Sequence, residues 1–191
     1  MKVVGINGSP RKKGNTGILI QHVFNELEAE GIETEHVQVG GRNIRGCLSC
    51  YKCFQNKDCR CSNDKDVLNE ILAKMIEADG IILASPTYFS NMTPEMKALM
   101  DRCGLVSSAN GGLFIRKVGA ALAVARRAGA VTTFDALNHF FLYNQMIVPG
   151  SCYWNVVIAL NPGDAEKDEE GVNIVKTLGK NLAWLMKKLN A

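Results

Sequence analysis

Two stretches of the chain carry residue types whose spacing points to chemistry. The first is Gly8-Ser9-Pro10-Arg11-Lys12-Lys13-Gly14-Asn15-Thr16, set between an apolar run and the start of a helical pattern. Glycines let backbone N–H groups turn toward one point, and a helix N-terminus adds the positive end of its dipole. Ser9, Asn15 and Thr16 supply short donors beside the Arg11 charge. This is the chemistry of anion binding, and a terminal phosphate suits it. Asn15 stands where a nucleoside-triphosphate loop requires lysine, and the spacing is not the dinucleotide Gly-x-Gly-x-x-Gly fingerprint. ATP and a dinucleotide held on that fingerprint are therefore disfavoured. The alternative is a turn that merely joins strand to helix, with Lys12 and Lys13 a solvated pair.

The second stretch is a run of thiols. Five of the seven cysteines crowd between Cys47 and Cys61, and Cys47, Cys50, Cys53 and Cys59 follow a Cys-x2-Cys-x2-Cys-x5-Cys pattern with Cys61 to spare. Two consecutive x2 spacings let one compact loop wrap three thiolates around a cubane corner, whereas structural zinc sites more often use two knuckles a long spacer apart. A [4Fe–4S] cluster is the favoured metal reading, with Cys59 as the fourth ligand in that spacing. Reduced thiols packed against a partner subunit, zinc and a redox-active thiol pair stay open, and Cys103 and Cys152 are expected to be ordinary buried residues. His22, His36 and His139 are scattered, without metal spacing or a nucleophile nearby.

Ligand loops of open α/β sheets lie at the carboxyl ends of the strands. Two further segments fall there: Ser85-Pro86-Thr87-Tyr88-Phe89-Ser90-Asn91-Met92-Thr93-Pro94 and Ala125-Arg126-Arg127-Ala128-Gly129. Tyr88, Phe89 and Met92 either line a ligand or sit in the core under the loop. Arg126 either offers a charge to a ligand or lies exposed at a helix start.

The elements that must position these groups follow from periodicity. Val3 to Ile6, Ile81 to Ala84 and Val118 to Val124 are short apolar runs suited to buried parallel strands, and they alternate with helical patterns, which gives an α/β class. Helices are expected at Asn15 to Gly31, Lys65 to Glu77, from Thr93-Pro94 onward, at Thr132 to Tyr143, and along the Val175, Leu178, Leu182, Leu185 and Leu189 stripe. Glu33 to Val39 and Met146 to Val148 complete five strands and five helices. Gly40 to Asp64 is too long for a plain connection.

A chain of 191 residues, 47% hydrophobic, suits one domain over residues 1–191. The net charge of +3 has no basic stripe behind it, so nucleic acid is a poor partner. A membrane is not expected either, because no run approaches the ~20 apolar residues that span a bilayer. The N-terminus begins directly with a strand-like run, so a cytoplasmic, reducing setting without a disulfide framework is expected.

Strand, Gly-Ser-Pro-Arg-x-x-Gly-Asn-Thr, helix, then Ser-Pro-Thr-Tyr-Phe before another helix resembles the NADPH-dependent FMN reductase and iron–sulfur flavoprotein group of the flavodoxin-like superfamily, over nearly the whole chain. The resemblance implies a three-layer sandwich with a five-stranded parallel sheet in the order 2-1-3-4-5 and helices on both faces. Residues of about 40–64 would be a cysteine-rich insertion. It gives the FMN phosphate to Ser9, Arg11, Asn15 and Thr16, and the flavin ring to Pro86, Thr87, Tyr88, Phe89 and Asn91. Arg126 and Gly129 would approach the ring from another side. NAD(P)H is the implied reductant, a small molecule or protein the acceptor, and a homodimer or homotetramer the assembly; the cysteine loop with Phe140, Phe141, Tyr143, Tyr153 and Trp154 is the candidate contact surface, the alternative for these aromatics being the acceptor pocket or the core. The alternative is an electron carrier in which flavin and a [4Fe–4S] cluster on the Cys47–Cys61 loop relay electrons from a protein donor. A phosphate-binding module without redox chemistry is a third reading.

Overall fold

A strand buried on both faces has no polar side to alternate with, so continuous apolar runs mark the centre of a parallel sheet. The computed structural model, which describes residues 1–190, contains β1 (Lys2–Asn7), α1 (Asn15–Ala29), β2 (Glu33–Gln38), α2 (Lys52–Asn56), α3 (Leu68–Glu77), β3 (Gly80–Pro86), α4 (Pro94–Ala109), β4 (Val118–Ala125), α5 (Ala130–Tyr143), β5 (Val156–Ile158) and α6 (Glu169–Leu189). Neighbouring strands are all parallel, in the order β2-β1-β3-β4-β5. The fold is the flavodoxin-like three-layer sandwich.

Alternation along β1 divides the two cores. Val3 points to α1 and α6, packing with Leu19, Val23, Leu178 and Leu182, while Val4 and Ile6 point to α3 and α4, packing with Ile71, Met75, Met96 and Leu99. β2 is an edge strand and accordingly polar, with Glu35 bonded to Lys74 and to Lys2. No helix among the described residues is long and apolar enough to cross a membrane.

The expected strand Met146 to Val148 is corrected. Ile147 makes a single parallel bridge to Val118, and Pro149 then takes a donor out of the edge. The chain rejoins the sheet where Asn155 O accepts from Ala123 N (3.0 Å), and β5 follows at Val156. There are six α-helices among the described residues rather than five, because α2 forms inside the cysteine loop, and a 3-10 turn at Asp164–Lys167 precedes α6. α3 begins at Leu68, not Lys65, since an Asp66 carboxylate oxygen accepts from Leu68 N (3.2 Å). Leu189, expected on the core face of α6, is exposed. Thr93 and Pro94 do start α4, but the Thr93 hydroxyl donates to Gly8 O (2.9 Å) instead of capping its own helix.

Candidate functional site

The loop after β1 is held from three sides. Gly8 N donates to Ala84 O of β3 (2.8 Å), the Thr93 hydroxyl donates to Gly8 O, and Gln38 Nε2 at the end of β2 donates to Ser9 O. Asn7 Oδ1 accepts from Ser9 N (2.9 Å), and Ser9 Oγ accepts from Arg11 N (3.2 Å). Gly14 caps α1 without a side chain, so helix geometry leaves the Asn15 and Thr16 N–H groups without intrahelical acceptors at the positive end of the dipole. No acidic residue stands in the first turn. Free N–H donors at a helix N-terminus are groups an anion can accept from.

The side chain of Asn15 is engaged elsewhere. Its Nδ2 donates to Asn161 O (2.8 Å), and its Oδ1 accepts from Gly163 N (2.9 Å) and Ala165 N (3.2 Å). It clamps the loop after β5, which leaves its backbone N–H as the group to offer an anion. Arg11 Nη1 likewise reaches across to Leu160 O (3.0 Å).

One pocket at the carboxyl edge of the sheet collects Ser9, Arg11, Asn15, Thr16, Pro86, Thr87, Tyr88 and Arg126 from the sequence-predicted set. Two arginines and no carboxylate line it, which favours an anionic ligand. Thr87 lines the pocket, and its buried Oγ1 has no hydrogen-bond partner among the described residues. The residues present therefore fit a phosphate-bearing ring system such as FMN.

Phe89, Asn91 and Gly129 do not line this pocket. Tyr88 and Asn91 exchange backbone hydrogen bonds (2.7 and 3.0 Å) around a two-residue tip, with Phe89 and Ser90 left-handed (φ 48° and 61°). Phe89 is fully exposed at that tip, and Asn91 Oδ1 accepts from Met92 N (2.9 Å). Gly129 (φ 81°) packs on the tip from behind, where a Cβ would lie 2.7 Å from Ser90 Oγ. Asn91 and Gly129 support the loop, while Phe89 projects from it. Sequence reasoning missed Val124, Ala159 and Leu160, which also line the pocket. The apolar run Val156 to Leu160 before Asn161-Pro162-Gly163 was the available signal for the last two.

The cysteine loop leaves β2 pressed against the phosphate loop: a Cβ on Gly40 would fall 2.3 Å from Gly8 O and Ser9 C. Cys47, Cys50, Cys53 and Cys61 line one cavity, closed by Leu105 and Val106 of α4. The Cys47 sulfur accepts from Ser49 N (3.4 Å). The backbone at Lys52 and the Ser62 hydroxyl hold the Cys50 thiol below its ordinary value, while burial pushes Cys53 up. Among the described residues no group of three or more His, Cys, Asp or Glu is drawn closely enough to hold a metal ion.

Cys59, expected as the fourth ligand, does not line the cavity. Its N–H and Sγ both engage Asn110 Oδ1 (3.0 and 3.6 Å), and its backbone is left-handed (φ 58°). The loop supplies thiols, the donor type of an iron–sulfur group, without drawing three of them together among the described residues. Cys103 is fully buried, and burial pushes its thiol up; Cys152, expected to be buried, is exposed. His22 bonds Glu166 (2.9 Å), and burial lowers the His36 pKa.

The parallel order β2-β1-β3-β4-β5, with a pocket at the carboxyl ends of its strands, defines the flavodoxin-like class. Within it, the chain belongs to the NADPH-dependent FMN reductase family, whose model matches residues 1–161. It is 39% identical over 194 residues to an iron-sulfur flavoprotein of Methanocaldococcus jannaschii, covering 98% of each chain. An iron-sulfur flavoprotein of Methanosarcina thermophila is 36% identical over 184 residues, covering 95% of this chain and 93% of the relative. Among solved structures, RosB with bound 8-demethyl-8-formylriboflavin-5'-phosphate superposes with a TM-score of 0.76 at 19% identity, over 100% of this chain and 80% of that one; this likeness concerns the fold alone.

Proposed function

We propose that this protein holds FMN with its phosphate on the β1–α1 loop and its ring against Pro86, Thr87, Tyr88 and Arg126, and passes electrons from NAD(P)H through it to a small-molecule or protein acceptor. The observation that carries this is the single pocket that joins the free N-terminus of α1 and the Arg11 and Arg126 charges to Pro86, Thr87 and Tyr88. The phosphate end and a polar ring edge are provided for together. When bound, the flavin supplies the hydride and electron chemistry. The protein binds the phosphate, orients the ring and restricts access, so no acid–base constellation is required.

The test is anaerobic addition of NADPH or NADH to the FMN-loaded chain, followed by flavin absorbance. Bleaching with one of them is expected. An unchanged spectrum with both, alongside bleaching by a reduced ferredoxin, would contradict NAD(P)H as the donor.

The shared cavity of Cys47, Cys50, Cys53 and Cys61 favours a second reading, an electron carrier with an iron–sulfur cluster beside the flavin. Iron and sulfide assays on anaerobically purified protein separate the two. A cytoplasmic homodimer or homotetramer is part of the proposal, supported by exposed Tyr143, Tyr153 and Trp154; Phe140 and Phe141, expected at such a surface, are buried in the core.

A further inference from the structure

The segment that follows β5 is a wall of the pocket, yet the sheet does not hold it. β5 has only three residues. Beyond Ala159 N, which donates to Ala125 O (2.9 Å), no backbone hydrogen bond joins the segment to the sheet among the described residues. It is fastened instead by side chains from the β1–α1 region. Arg11 Nη1 donates to Leu160 O (3.0 Å), 149 residues further along the chain. Asn15 engages Asn161 O, Gly163 N and Ala165 N, and His22 Nε2 pairs with Glu166 (2.9 Å). Within the segment, Asp164 Oδ2 accepts from Asn161 N (2.7 Å), which closes it into a compact turn. Ala159 and Leu160 border two cavities: the pocket that contains Thr16 and Tyr88, and a wider groove beside Tyr153, Ile158 and Lys167. Recognition of a phosphate has no need of the contact between Arg11 and a neutral carbonyl, whereas a wall carried past the end of a short strand needs an outside anchor.

We propose that Arg11 is a positioning residue: through its bond to Leu160 O it holds residues 159–166 in place as the wall between the flavin pocket and the neighbouring groove. This rests on the FMN reading above. The proposal separates two roles that a cation beside a phosphate loop could have. A charge that serves the phosphate alone matters only to a flavin that carries one. A wall matters to every flavin, because a displaced Leu160 alters the pocket whatever tail the ring bears, and the binding geometry then has to be restored at a cost in affinity.

The experiment compares Arg11→Ala with the unaltered full chain, both flavin-free, by amide hydrogen exchange and by equilibrium titration with FMN and with riboflavin. Arg11 is exposed, so its removal leaves both cores intact. Exchange over residues 159–166 is expected to quicken in Arg11→Ala before any flavin is added, which loss of a phosphate ligand would not bring about. Riboflavin is expected to bind about 3- to 10-fold more weakly, the worth of one hydrogen bond, and FMN to weaken by at least as much. Weakened FMN with unchanged riboflavin makes Arg11 a phosphate ligand and overturns the positioning role, while the FMN reading stands. Unchanged exchange in the flavin-free variant overturns the positioning role as well. An unaltered chain that takes up neither flavin overturns the FMN reading, and the positioning role with it.

Discussion

Two neighbouring side chains at the start of α1 do different work. Thr16 lines the pocket, whereas the Asn15 carboxamide is spent on Asn161, Gly163 and Ala165. Thr16→Ala should therefore weaken FMN by roughly 10- to 100-fold, the worth of one hydrogen bond to a charged group, ~1.5–3 kcal/mol, with little change in unfolding free energy. Asn15→Ala should instead cost about 1–3 kcal/mol of stability through the backbone groups it strands; isothermal titration and urea unfolding of both variants check the contrast. Thr87→Val removes a buried hydroxyl without a partner, so the ligand-free protein should unfold no more easily, or gain up to about 1 kcal/mol, while flavin affinity falls. A destabilised ligand-free Thr87→Val protein would show that the hydroxyl is already satisfied. Asn15 was legible in the sequence as a site residue but not as a clamp, because its partners lie 146 to 150 residues further along the chain.

At the scale of elements, the cysteine loop and the phosphate loop are in direct backbone contact through Gly40. A methyl group there meets main chain rather than a side chain that can swing aside. Gly40→Ala is expected to cost at least the 1–3 kcal/mol of an overpacked site and to weaken FMN although it lies in neither ligand loop, as thermal unfolding and FMN titration would show. The other end of the loop depends on Asp66. Burial pushes its carboxyl up, but Arg102 and the N–H groups of Arg45 and Leu68 outweigh this and hold it below the ordinary carboxylate range. Since the folded value lies under the unfolded one, the stabilisation is complete above about pH 4 and is lost as pH falls through the folded value. The difference in thermal midpoint between the unaltered chain and Asp66→Asn should narrow below that pH; a constant difference would contradict the assignment. The central strands were legible because buried parallel strands are continuous apolar runs. β5 was not, because it has three residues, and the extended segment before it makes only a bridge at Ile147 before Pro149 interrupts the edge. The short helix α2 and the turning-out of Cys59 depend on left-handed residues at Tyr51, Lys57 and Cys59, none of them a glycine that would have signalled the turn.

For the whole molecule, the parallel order 2-1-3-4-5 brings the loops after β1, β3, β4 and β5 to one edge, and every group proposed to hold FMN comes from them. The cysteine loop, leaving β2, reaches the same edge through Gly40. Such an arrangement separates two recognitions, phosphate at a helix N-terminus and ring between strand ends. They can be measured apart with two ligands that share a ring but differ in the phosphate. The most direct test is equilibrium titration of the flavin-free chain with FMN and with riboflavin. The account predicts that FMN binds about 100-fold more tightly, the worth of two charge-assisted hydrogen bonds at the lower end of their range, and that Thr16→Ala narrows the gap. Equal affinity for the two flavins would contradict the assignment of the β1–α1 loop as the phosphate site.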